Sequence, residues 1–293
     1  MADATNKSMT FEKIHTRLKY RKFGKVTDEH MIDFIKHSKE KNSKSSVKWT
    51  ILHVIAKYGK WLKNETIQYV IDNVNANLIN KKTVNGFTAL MLACRHSNDM
   101  SSEAIVKILI ANGANVNLQN DTGVTALHFA VANCANNSTL GTVKLLLDAN
   151  CDVNLCEVIN SITPLMSACE YSGKTSNNKA VKLLIEAKCD LNMINLDGET
   201  ALMISMRNSN IKLANLLIDS GCNVNTRSVN GETPLTLALI NDKMPLLFID
   251  KLLKLNSLKI ASKFKKLISS QNYQIFGIFL PILLVFLLPF LIL

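Results

Sequence analysis

The side chains with the greatest chemical reach in this sequence are seven cysteines and six histidines. Gathered together, thiols and imidazoles could hold a metal ion or pair as nucleophile and base. Their spacing argues against both. No Cys-x-x-Cys pair occurs, the histidines are scattered, and neither His-Glu-x-x-His nor Gly-x-Ser-x-Gly is present. A phosphate-cradling glycine loop and the kinase motif set are also missing. The cysteines are periodic instead. Cys94 and Cys169 each stand six residues after a threonine, Thr88 and Thr163. Cys151, Cys189 and Cys222 occupy the slot where another stretch has Ala114, while Cys134 and Cys156 fall outside the pattern. A reduced cysteine at a recurring slot acts as a small hydrophobe. The expectation is a chain without catalysis, cofactor, metal or small-molecule substrate.

That periodicity belongs to a larger unit, clearest from Gly86 to Asn117. Thr88 can cap a first helix whose apolar stripe is Leu90, Met91, Ala93 and Cys94. Ser101 and Ser102 can cap a second, striped by Ile105, Val106, Ile108, Leu109 and Ile110 and stopped by Gly113. Two helices this short cannot hide their own apolar faces, so the unit needs neighbours. The chain supplies them. A Thr-x-Leu-x tetrapeptide starts at Thr50, Thr88, Thr125, Thr163, Thr200 and Thr233. A closing turn recurs as Gly113-Ala114-Asn115-Val116-Asn117, Asn150-Cys151-Asp152-Val153-Asn154, Lys188-Cys189-Asp190-Leu191-Asn192 and Gly221-Cys222-Asn223-Val224-Asn225.

This pattern resembles the ankyrin repeat, with its Thr-Pro-Leu-His helix start and a period near 33 residues. The resemblance implies an all-α solenoid of helix-turn-helix units with β-hairpin fingers, about six repeats over residues 47–256. It also implies a protein partner on the concave face, contacted by finger tips at Lys81, Lys82, Gln119, Asn120, Glu157, Ile194 and Arg227. The chain departs from the pattern in three ways. Four of the threonine spacings are 37 or 38 residues and only the last is 33. The additions fall between the two helices, in polar segments such as Asn98-Asp99-Met100-Ser101 and Lys174-Thr175-Ser176-Asn177, which belong in exposed loops. The glycine two residues before the threonine, present as Gly86, Gly123, Gly198 and Gly231, is Ser161 in the fourth copy and Lys48 in the first. The histidine survives only as His53 and His128.

Charge is uneven along the chain. The formal net charge is +11, with +6 in residues 1–50, zero in 51–240 and +5 in 241–293. A nucleic-acid reader would carry its charge on the folded repeats, so that class is disfavoured. Residues 1–46 form a basic N-terminal region in which Phe11, Ile14 and Leu18 share one helical face. A second helix starts near Thr27 or Asp28 and buries Met31, Ile32, Phe34 and Ile35. The pair reads as a cap on the first full repeat, with a basic arm for lipid headgroups or an acidic partner as the other reading.

The other end is different again. Residues 257–274 are basic and amphipathic, with Leu258, Ala261, Phe264 and Leu267 on one stripe and Lys259, Lys263, Lys265 and Lys266 beside it. They either lie on a membrane surface or extend the last repeat. Ile275 to Leu293 follows with nineteen residues and no charged side chain. At ~1.5 Å per residue it would span about 28 Å, close to a roughly 27 Å endoplasmic-reticulum core. It reads as a single transmembrane helix of the tail-anchored kind. The preceding lysines place the N-terminal bulk in the cytosol, and the endoplasmic reticulum is favoured over the mitochondrial outer membrane. The function that follows is a membrane-tethered, cytosol-facing interaction scaffold. The alternative is a soluble or secreted ankyrin effector, or a substrate-recruiting adaptor, whose hydrophobic tail binds a partner.

Overall fold

In the computed structural model the described residues are 11–20, 27–37, 49–172, 178–241 and 243–256. They form fourteen α-helices. α1 (Phe11–Tyr20) and α2 (Asp28–His37) come first. α3 (Ile51–Tyr58) pairs with α4 (Asn64–Asn73), α5 (Ala89–His96) with α6 (Glu103–Ala111), and α7 (Ala126–Asn133) with α8 (Leu140–Asp148). α9 (Pro164–Glu170) pairs with α10 (Asn178–Glu186), α11 (Ala201–Arg207) with α12 (Ile211–Asp219), and α13 (Pro234–Ile240) with α14 (246–256).

Each repeated threonine starts a helix for a local reason. Thr88, Thr125, Thr163, Thr200 and Thr233 sit in extended backbone, and their side-chain oxygens accept the N–H three residues on. That satisfies one of the donors a helix start leaves open. Proline at the next position, as Pro164 and Pro234, is already set for the helix and lacks only an N–H that would be unpaired there. Four of the second helices, α6, α8, α10 and α12, are followed by a residue with positive φ, namely Gly113, Asn150, Lys188 and Gly221, whereas α4 ends on Val74 in extended backbone.

Packing runs between neighbouring units. First helices stack in one row, α1 on α3, then α5, α7, α9, α11 and α13. Second helices stack in another, α2 on α4, then α6, α8 and α10. One continuous apolar core fills the space between the rows, from Ile14 and Met31 to Phe248 and Leu252. The interior of α5 to α11 is built from Leu90, Leu127, Leu165 and Leu202, the leucines of the recurring tetrapeptide, all fully buried.

Two polar seams flank that core. On one edge the asparagines that end the first three closing turns, and Asn80 ahead of them, each accept a backbone N–H from the next unit. The bonds run from Asn115 to Asn80, Asp152 to Asn117, Asp190 to Asn154 (2.8 Å each) and Asn223 to Asn192 (2.6 Å). On the other edge lie the lengthened helix connections, which are not simply solvated loops. Ser97, Ser101 and Ser138 are buried. The Ser97 hydroxyl lies 2.6 Å from that of Thr142, and the Asn98 N–H donates to Asn137 O at 3.0 Å. Asn98 and Asp99 themselves are exposed, and the other segment, 174–177, lies outside the described residues.

The β-hairpin fingers are shorter than the resemblance implies. Among the described residues there is no strand, and the strand-like pairing within a finger is an isolated bridge between Gln119 and Thr125. Most fingers are a tight turn closed by two main-chain bonds on the same residue: Thr83 N–H donates to Phe87 O (2.8 Å) while Thr83 O accepts from Gly86 N–H (3.1 Å), and Asn120 does the same with Val124 and Gly123 (3.0 Å each). Their arms are too short to build a ladder. No helix among the described residues is long and apolar enough to cross a membrane, and 275–293 and 257–274 lie outside them.

Leu127 is 1 % exposed at the centre of the first-helix row. Leu127→Asp places a lone carboxylate there and is expected to cost roughly 3–5 kcal/mol. Thermal unfolding by circular dichroism checks this: a melting temperature equal to that of the parent protein would refute the register.

Candidate functional site

The fingers project side by side along one edge of the array, and from the third onward a main-chain bond ties each to the next. Val158 N–H donates to Thr122 O (2.9 Å), Leu196 N–H to Asn160 O (3.0 Å) and Val229 N–H to Asp197 O (2.8 Å). Such close approach needs glycine. Gly123 has φ of 80°, and a Cβ there would lie 2.6 Å from the Val158 nitrogen. The fourth finger has Ser161 at φ 57° in place of glycine and is one residue longer. Its closing bond, Glu157 N–H to Ile162 O at 3.0 Å, spans five residues where the others span four.

The seven residues expected at the tips divide into two groups. Lys81, Lys82, Ile194 and Arg227 are exposed. The other three are engaged inside the fingers. Asn120 is buried, and its Oδ1 accepts from Thr122 N–H (3.1 Å) and Val124 N–H (2.8 Å). Gln119 donates from Nε2 to Gly123 O (2.8 Å) and to Cys156 O of the next finger (2.9 Å). Glu157 folds its carboxylate onto Ile159 N–H (3.0 Å) and Asn160 N–H (2.6 Å). A polar side chain beside a tight turn satisfies the turn first. Lys259, Lys263, Lys265 and Lys266 lie outside the described residues.

What the expectation missed is an apolar series at the tips. Val84, Val158, Leu196 and Val229 follow the first residue of their turns, and Ile159 stands next to Val158. All five are more than half exposed, Val158 at 72 % and Val229 at 75 %. Only the third finger puts a charge there, Asp121. Aliphatic residues have no turn-forming function at that position, so their recurrence there is the signal the sequence offers, and it takes on meaning only once the place where each turn begins is known. Below the fingers, the first-helix row exposes Arg95, whose guanidinium lies 5.5 Å from the Phe129 ring centre, and Phe129 stacks on Phe87 at 5.4 Å. Arg207 bridges Glu199 and Glu232, with its Nη2 3.3 Å from Glu232.

The candidate chemical groups are turned inward. Burial pushes the Cys94 and Cys169 thiols well up, and Cys151, Cys189 and Cys222 up to about 11. All five stay protonated at neutral pH, which makes them weak nucleophiles. His53 Nδ1 accepts the Thr50 N–H at 3.0 Å, so the proton is on Nε2, which donates to Lys81 O (2.9 Å) and Phe87 O (3.1 Å). His128 repeats this with Thr125 N–H (3.2 Å) and Ile162 O (3.0 Å). Each imidazole therefore joins a helix cap to the base of the next finger. Burial lowers His53 to about 4, against the opposing pull of its carbonyl partners, and also lowers His128. His96 falls to about 4 through burial and then the charges of Lys57 and Arg95. Among the described residues no three His, Cys, Asp or Glu side chains are grouped to hold a metal ion.

Comparison with known proteins agrees with this geometry. The sequence model described as ankyrin repeats (three copies) matches residues 25–120, 98–195, 132–228 and 173–260. A putative ankyrin-repeat protein of Acanthamoeba polyphaga mimivirus is 34 % identical over 64 residues. The match covers 22 % of this chain and 10 % of that protein, so the chain spans a small part of its relative. The crystal structure of the ankyrin repeat domain of Bcl-3, described as a unique member of the IkappaB family, superposes with a TM-score of 0.63. It is 21 % identical, over 82 % of this chain and 97 % of that one, a likeness of fold.

The buried imidazoles generate a pH dependence. An unfolded histidine takes up a proton near its ordinary 6.5, whereas folded His53 resists until about 4. Stability is therefore full above pH 6.5 and declines as pH falls from there to 4, by on the order of 3 kcal/mol for His53. His53→Met, which introduces the residue found at the matching site in three other copies (Met91, Met166 and Met203), should flatten this slope in urea unfolding at pH 7 and pH 5. An unchanged slope would show that His53 is not held neutral.

Proposed function

The chain belongs to the ankyrin-repeat family, and on that premise we propose that it is a membrane-tethered scaffold whose finger side docks a protein partner. The observation that carries the docking is the exposed aliphatic series Val158, Ile159, Leu196 and Val229, held in register on the fourth, fifth and sixth fingers, with Val84 at the same place on the second beyond Asp121 of the third. Isolated surface aliphatics are ordinary, but a series set side by side on a rigid edge is the form of an interaction site. The partner would cover the tips and the concave face beneath them, with Lys81, Lys82 and Arg227 at the margins as charged selectors. Binding needs no reordering of the turns, because Asn120, Gln119 and Glu157 already hold them.

The tether is Ile275 to Leu293, whose unbroken apolar run suits a bilayer better than a water-facing helix. Lys259, Lys263, Lys265 and Lys266 precede it and favour a cytosolic repeat array, at the endoplasmic reticulum. Confinement to a surface raises the effective concentration of a docked partner near other membrane components.

Two experiments test the two parts separately. Val158→Asp, Leu196→Asp and Val229→Asp together alter only exposed positions, so melting should hold while partner capture from lysate weakens at least about tenfold. Undiminished capture would remove the tips from the site. For the tether, full-length protein should stay in the membrane pellet after alkaline carbonate, and a chain ending at Ser270 should be soluble; release of both by carbonate would argue for a peripheral tail seated in another subunit.

A further inference from the structure

The neutrality of the repeats conceals a basic half and an acidic half. Residues 51–117 hold seven Lys and Arg against four Asp and Glu, whereas residues 118–240 hold eight against eleven. Two recurring slots show what each half does with its charge. One lies in the last turn of each first helix, seven residues past the repeated threonine, and reads Lys57, Arg95, Ala132, Glu170, Arg207 and Ile240. The other immediately precedes the threonine and reads Trp49, Phe87, Val124, Ile162, Glu199 and Glu232.

In the acidic half the two slots satisfy each other, because Arg207 bridges Glu199 and Glu232. In the basic half the second slot is aromatic, and the cations rest on rings. Lys57 Nζ lies 5.6 Å from the Trp49 ring centre and 5.0 Å from that of Tyr58. Arg95 lies over Phe129, which stacks on Phe87. A ring face holds a cation in place but brings no net charge to neutralise it and no lone pair for its N–H groups. Among the described residues neither Lys57 nor Arg95 is ion-paired. The two are close enough together that both act on the half-buried His96. Lys81 and Lys82, exposed just ahead of the second finger turn, add to the same end.

We propose that the docked partner is a protein segment with an acidic stretch, lying along the array with its carboxylates on Lys57 and Arg95 and its aliphatic side chains on the tips of the fourth to sixth fingers. This rests on the docking reading above and adds the chemistry and the orientation of the segment. A carboxylate can take two parallel N–H bonds from Arg95 while the ring supports the guanidinium. The reverse orientation would set the carboxylates among Glu170 and Asp197, so charge decides which end lies where. A nucleic-acid strand, with a phosphate at every step, would run into Asp121, Glu170 and Asp197 beyond the second unit.

The test selects random peptides displayed on phage against the full chain in detergent micelles. Selected peptides should carry Asp and Glu in one half and Leu, Ile or Val in the other, and should bind more weakly as salt rises. Lys57→Glu with Arg95→Glu should weaken such a peptide about tenfold or more, and a peptide with its acids replaced by Lys should recover binding to that variant. Recovery also shows that the variant is folded. Aliphatic peptides without acids, indifferent to these two substitutions but lost with Val158→Asp, Leu196→Asp and Val229→Asp, overturn the inference and leave the docking reading standing. Peptides indifferent to both sets overturn both. The inference also falls if no peptide is selected, or if oligo-dT or phosphatidylserine vesicles rather than peptides depend on Lys57 and Arg95, which would give the basic end to nucleic acid or lipid.

Discussion

No helix pair in this chain can hide its apolar face alone. An eight-residue helix such as α5 or α7 is too short to be stable in water, and its stripe of leucine, alanine and cysteine is buried only when a neighbour lies on each side. Everything else is arranged to keep successive pairs at one fixed offset. The threonine caps set where each first helix begins. The asparagine seam on one edge and the serine–asparagine seam on the other take up the main-chain groups that stacked turns would otherwise leave unmet.

The two histidines show how local and neighbour interactions combine. Thr125 and His128 cap one helix, as their spacing in the sequence indicates. The far nitrogen of the same ring then reaches Ile162 in the next finger. Where methionine replaces histidine, as at Met91, the sulfur can still meet the Thr88 N–H at 3.5 Å, but the link to the following finger is lost. The array thus has stronger junctions after its first and third full units than after its second.

The stacking was legible in the sequence because it depends on apolar spacing and caps, which repeat visibly at Thr88, Thr125 and Thr163. The finger surface was less so. Asn120 and Glu157 look like contact residues when only polarity is considered, yet both are consumed by their own turns, since a nearby backbone N–H is a better partner than bulk water for a side chain already held beside it. Val158 and Val229 look unremarkable as single valines, and acquire meaning only once the turns are set side by side. The lengthened helix connections misled for the same reason: Ser97 and Ser101 are polar, but the extra residues fold back over the core edge and carry them inside. Polarity reports what a residue can bond to, not whether the bond is made to solvent or to the chain.

Among the described residues the main contacts in the two helix rows pass from each unit to the next. Tension applied between the ends would therefore find no crosslink that shares it. The chain would yield like a zip fastener, one tooth at a time from whichever end is less well closed. A molecule clasping several fingers at once would act as the missing crosslink, turning a stretchable ribbon into a stiff strut.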